Sequence, residues 1–126
     1  MGFSTRLIAP LLALVVFPAG AADISGEWSA TIATAAGQKD YTYVLRQDGA
    51  KLIGTIRSQD GVVAISNGNI NNKTVMFDEN VTVQGRRAVL EYTGEIVSDT
   101  EIRFKRQPAG TQYPVVQFVA TRTGTR

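Results

Sequence analysis

The sequence predicts an all-β protein, an eight-stranded antiparallel up-and-down β-barrel. Three observations carry that expectation. Apolar and polar residues alternate with a period of two in one segment after another. Turn-forming pairs such as Asp48-Gly49, Asp60-Gly61 and Asn71-Asn72 interrupt the alternation at close intervals, and no helical periodicity lies between them. An open sheet of this size would leave one apolar face and two edges in water, whereas closing it on itself buries the face and removes the edges. A two-sheet sandwich is the competing arrangement.

The chain of 126 residues, 44% hydrophobic and 19% charged, allows one domain of ordinary globular composition. Its first residues differ from the rest. Met1 to Arg6 is short and singly basic, Leu7 to Phe17 is apolar except for Pro10, and Pro18-Ala19-Gly20-Ala21-Ala22 offers small residues for cleavage. This is the layout of a secretory signal over residues 1–22, leaving a barrel domain over residues 23–126 in a secreted or periplasmic protein. An uncleaved membrane anchor would need about 20 apolar residues, more than this run supplies, so no membrane span is expected after cleavage. There is no cysteine, hence no disulfide and no lipid anchor through a cysteine. The pI near 9.2 reflects near balance of charge. The basic clusters, Arg86-Arg87 in a turn and Arg103-Lys105-Arg106 on one strand, read as solvated surface, and nucleic acid is not an expected partner.

The strands follow in order. Ile24 to Ile32 carries Ile24, Trp28, Ala30 and Ile32 on one face and Ser25, Glu27, Ser29 and Thr31 on the other. After a loop at Ala35–Lys39, Tyr41, Tyr43 and Leu45 point inward along the second strand. Asp48-Gly49 turns the chain because glycine accepts the positive φ that tight hairpins demand. The third strand, Lys51–Ser58, places Leu52, Gly54 and Ile56 together. A long fourth strand from Val62 to Ile70 alternates without declaring which face is inward. The fifth, Lys73–Val83, carries Val75, Phe77, Val81 and Val83 inward. The sixth, Ala88–Val97, does so with Ala88, Leu90, Tyr92, Gly94 and Ile96, and the seventh with Ile102 and Phe104. The eighth runs from Gln112 to Gly124. Glycines 54, 68 and 94 fit the bends of a small barrel.

Little in the chain suggests catalysis. With no histidine and no cysteine, the usual general base, thiol nucleophile and transition-metal ligands are missing. Asp78-Glu79 is not a carboxylate pair, since neighbours on a strand face opposite ways, and it reads as solvated surface. Neither Asp-Gly turn continues with calcium-loop spacing. The expectation is a non-enzyme with no cofactor and no metal. Asn72-Lys73-Thr74 and Asn80-Val81-Thr82 match the glycosylation pattern, which matters only in a eukaryotic host.

At Gly26-Glu27-Trp28 and at Ala120-Thr121-Arg122-Thr123-Gly124 the chain resembles the calycins, the superfamily of lipocalins, fatty-acid-binding proteins and avidins. In that group a glycine-x-tryptophan on the first strand packs beneath an arginine from the last. The resemblance therefore implies Trp28 and Arg122 as the structural closure of one barrel end, with a cation–π contact of about 0.5 to 2 kcal/mol. Within the calycins the likeness is to avidin and streptavidin, because Gly49-Ala50-Lys51-Leu52-Ile53-Gly54-Thr55 is similar to their glycine-x-leucine-threonine-glycine-threonine third strand. Where those proteins enclose biotin with tryptophans, this chain has Phe77, Tyr92, Phe104 and Phe118. Their hydrogen-bonding residues are replaced by Ala30, Ile56, Ala88 and Leu90, and only Ser58 and Thr34 remain. Polar groups of that kind discriminate by factors of about 10⁴ to 10⁵, so the implied ligand is not biotin.

Two outcomes follow. The aromatics fill the lumen, or the mouth holds a small apolar or aromatic molecule against Phe77, Phe104 and Phe118, oriented by Tyr41, Tyr43, Ser58 or Tyr92. In the second, Tyr43 sits at the mouth and its truncation alters binding more than stability. A protein partner is the alternative. Small periplasmic barrels that inhibit secreted metalloproteases also open with leucine-serine-glycine-x-tryptophan, and Ile24-Ser25-Gly26-Glu27-Trp28 looks like it, without their disulfide or their amino-terminal tail.

Overall fold

The computed structural model describes residues 23–110 and 115–124. The expected signal segment and the start of the expected last strand lie outside the described residues. The described residues form nine β-segments and no helix: β1 (Gly26–Thr34), β2 (Gly37–Asp48), β3 (Lys51–Ser58), β4 (Gly61–Ala64), β5 (Ser66–Asn71), β6 (Thr74–Val83), β7 (Arg86–Ser98), β8 (Glu101–Pro108) and β9 (Val116–Gly124).

Every pairing is antiparallel. The order β2-β1-β9-β8-β7-β6-β5-β3 is closed by a β2–β3 ladder. β4 and β5 share one place in the wall beside β3, so the barrel has eight strand positions. The period-2 patterns produce this directly: Trp28, Ala30 and Ile32 on β1, Tyr41, Tyr43 and Leu45 on β2, and Ile102, Phe104 and Arg106 on β8 are buried, with solvent-facing residues between them. Gly54 is required by closeness, since a Cβ there would overlap the Val44 carbonyl oxygen.

The fourth strand departs from expectation. It is two pieces, because Asn67, at φ 53°, opens a bulge where Ser66 pairs with Asp78 but the next partners are Asn69 and Met76. A bulge adds a residue and reverses which parity faces inward. Ile65 before it and Ile70 after it therefore both pack on the core, which is why no single inward face runs through the sequence there. A Cβ at Gly68 would overlap the Leu52 carbonyl oxygen, so the bulge lies tight against β3. The loop expected at Ala35–Lys39 is also shorter, because β2 already begins at Gly37. Val83, expected inward, is 57% exposed at the end of β6.

One end of the barrel is plugged. The Arg122 guanidinium lies 4.6 Å from the centre of the fully buried Trp28 ring. Its Nε donates to Asp99 O at 2.7 Å, Nη1 to Ser25 O at 2.7 Å and Nη2 to Asp23 O at 3.0 Å. Trp28 Nε1 donates to Ile24 O at 2.9 Å. Ser25 Oγ accepts from Gln47 N at 2.9 Å, and Gln47 Oε1 accepts from Ile24 N at 3.1 Å, which straps residues 23–25 across this end. At the opposite end two joints lack a ladder. β4 does not pair with β6, and β1 and β9 pair only as far as Ser29 and Thr121.

Trp28→Ala should lower the unfolding free energy by about 3–5 kcal/mol. Arg122→Lys keeps the charge but loses the fork that reaches three carbonyls, and should cost about 1–3 kcal/mol. Urea denaturation measures both, and a negligible loss in either variant would show that this end does not hold the barrel together.

Candidate functional site

Above the plug, every phenylalanine and tyrosine among the described residues belongs to one cluster. Tyr43 stands at its centre, with ring centroids 6.0 to 6.3 Å from those of Tyr41, Phe77, Tyr92, Phe104 and Phe118. Phe77 stacks on Tyr92 at 4.5 Å and Phe104 on Phe118 at 5.4 Å. Cross-strand pairing puts Phe77 opposite Tyr92 and Phe104 opposite Phe118, and across β7 and β8 the two pairs are offset by two residues, with Phe104 opposite Gly94. Gly94 makes room, because a Cβ there would press into the Phe104 ring. The rings fill the middle of the lumen with one another. Tyr43 is 1% exposed, so it is not the mouth residue the sequence suggested. It is core, and its truncation to alanine removes packing at the centre of the barrel.

Toward the unplugged end the cluster becomes polar. Tyr92 Oη donates to Glu79 Oε1 at 2.6 Å and accepts from Arg106 Nη1 at 3.3 Å. The Arg106 guanidinium also lies 5.4 Å from the Tyr41 ring centre and 5.8 Å from that of Tyr92. Glu79 and Arg106 are 7% and 9% exposed, which corrects the expectation that both are solvated surface. The signal was present in the alternation. Glu79 shares the parity of Phe77 on β6, and Arg106 that of Phe104 on β8, so each must point inward. Their charge disguised this, since buried charges are rare unless paired. Here a tyrosine hydroxyl joins them.

Tyr43 Oη is buried with no hydrogen-bond partner among the described residues. Burial raises the Tyr43 phenol well above its ordinary value, although the Tyr92 hydroxyl and Arg106 both favour its anion. Burial also raises Tyr92, reinforced by Tyr43 and Glu79. For Arg106 burial works against the charge, but Tyr92 and hydrogen bonding with Tyr92 and Tyr41 outweigh it and the guanidinium is held charged.

The other predicted site residues fall into place around this. Ser58 is not with the rings; its Oγ accepts from Asp60 N at 3.1 Å and shapes the β3–β4 turn. Trp28 and Arg122 form the opposite end. A depression of about 430 Å³ lies at the joint where β1 and β9 lack a ladder, lined by Ala30, Tyr41, Thr42, Val119 and Thr121. A second, of about 500 Å³, lies on the outer wall among Thr93, Glu95, Arg103 and Lys105. Comparison of the chain with protein-family models, with curated proteins and with solved structures finds no match.

Tyr92→Phe strips a buried carboxylate and guanidinium of their shared hydroxyl and should cost about 1–3 kcal/mol in urea denaturation. Tyr43→Phe removes an unpartnered hydroxyl and should leave stability unchanged or raise it by up to about 1 kcal/mol. Both phenols ionise above the ordinary value of 10.0 in the folded protein, so the folded state keeps protons that the unfolded chain releases. Their contribution to stability is complete below pH 10 and is lost as pH rises beyond it, at about 1.4 kcal/mol per pH unit for each tyrosine. Each phenylalanine variant should flatten that alkaline slope.

Proposed function

We propose that this protein is an exported, non-enzymatic barrel that binds a small, mainly apolar or aromatic molecule at its unplugged end, and that the ligand is not biotin. The observation that carries this reading is the Tyr43 hydroxyl, buried beside the Tyr92 hydroxyl and the charged Arg106 without a hydrogen bond of good geometry among the described residues. A buried polar group left unsatisfied costs about 1–3 kcal/mol, and a ligand acceptor atom would recover it. The rings stack on one another in the lumen, which favours placing the body of the molecule on the half-buried Ile65, Leu90 and Val116 at the edge of the core. Tyr41, which lines the depression at the β1–β9 joint and sits over Arg106, marks the way in. The resemblance to calycins at Trp28 and Arg122 supports a binding barrel, and the apolar Ala30 and Ile56 on its inner face argue against a polar head like biotin's.

A fluorescent fatty acid should bind saturably, and Tyr43→Phe should weaken it at least tenfold without loss of stability. The corresponding fluorescent alcohol should bind more weakly, since it lacks the anionic acceptor that Arg106 would meet. No saturable signal with either probe would sink this reading. A second reading, a protein-interaction module, is favoured by a separate observation, the unpaired edges of β4 and β6.

A further inference from the structure

Those edges define a seam whose free backbone groups can be assigned. Ile65 N donates to Gly54 O at 3.0 Å, so in an antiparallel ladder Ile65, Val63 and Gly61 turn their N–H and C=O toward β3, while Val62 and Ala64 turn theirs away from it. Ile96 N donates to Lys73 O at 2.8 Å, so the odd-numbered residues of β6 face β7, and Asn80 and Thr82 turn theirs toward β4. No ladder joins the two banks, but in places their Cα atoms come within 8 Å of each other, closer than the roughly 10 Å that an intervening strand requires, so a strand enters only if β4 moves aside. The seam ends below at the bulge, where Asn67 Nδ2 donates to Asp78 Oδ2 at 2.9 Å and Asn80 Nδ2 to Ser66 Oγ at 3.2 Å. β4 is four residues long and held on one side only, so it is the bank that can give way.

The side chains set what would fit. On the outer face Arg57 stands opposite Val62 on one bank and Arg87 opposite Thr82 on the other. Both are exposed, and neither is in an ion pair among the described residues. On the inner face Val63, Ile65 and Val81 are half-buried and apolar. We propose that this seam docks an extended segment of a partner protein, adding a strand to the wall, with acidic side chains facing out between Arg57 and Arg87 and apolar side chains facing in. Main-chain hydrogen bonds from Val62, Ala64, Asn80 and Thr82 supply affinity, and the alternating side chains supply selection. The seam shares Ile65 with the core edge proposed for the small molecule, but its main-chain hydrogen bonds and its outer arginines do not depend on small-molecule binding.

A seven-residue synthetic peptide alternating valine with glutamate, followed by NMR amide exchange, tests it against its valine–lysine counterpart. The glutamate peptide should slow exchange at Val62, Ala64, Asn80 and Thr82 and bind at least tenfold more tightly than the lysine peptide. Thr82→Pro removes one seam N–H while sparing the ladder to β7, and should abolish binding with the circular dichroism spectrum unchanged. Arg57→Glu with Arg87→Glu should reverse the preference even if the proline variant fails to fold. Amides already protected in the free monomer would mean that the seam is closed, and protection appearing with dimerisation would make the occupant a second copy of this chain. Either result overturns the proposal, as does the absence of protection by any peptide.

Discussion

An eight-stranded barrel encloses space only as wide as the side chains that fill it, and here Tyr43 occupies that space. Its ring touches the layer formed by Phe77, Tyr92, Phe104 and Phe118, while its partner across β1 is Trp28. Two different packings thus meet at one residue. Below, the indole and the Arg122 fork tie the first strand, the last strand and the β7–β8 turn into a plug. Above, the rings give way to hydroxyl, carboxylate and guanidinium.

That transition is costly to build. A carboxylate and a guanidinium at less than one-tenth exposure lose hydration that only good geometry restores. Glu79 and Arg106 do not meet directly. They meet through Tyr92 Oη, which donates to one and accepts from the other. A phenol can serve both only while it keeps its proton, and burial in this cluster keeps it. The Tyr43 hydroxyl has no such arrangement, and the contrast between the two tyrosines is the chemical asymmetry of the interior.

The wall is asymmetric in the same direction. Every neighbouring pair of strands is bridged toward the plugged end, β3 and β5 through Lys51 and Asn69 alone, and both gaps, β4 against β6 and β1 against β9, open at the other. Barrels close to remove edges, so gaps confined to the end that carries the polar cluster separate a rigid half from an adaptable one. The bulge at Asn67 marks the boundary on one side, since it lets β4 follow β3 while β5 follows β6.

The sequence by itself determined the closed all-β barrel and the inward face of most strands, because alternation is a local property of each segment. It also held the inward parity of Glu79 and Arg106, although their charge argued the other way. What it could not determine was height and neighbourhood. Tyr43 reads equally well as a mouth residue or a core residue until the register of β1, β2 and β3 places it opposite Trp28 and Ile56. The split fourth strand was illegible for a related reason: one residue at positive φ reverses the alternation midway, and no average over the segment recovers two opposite phases. Only the tertiary structure brought Glu79, Tyr92 and Arg106 from three strands into one hydrogen-bonded group, because register across ladders is decided by how the whole barrel closes.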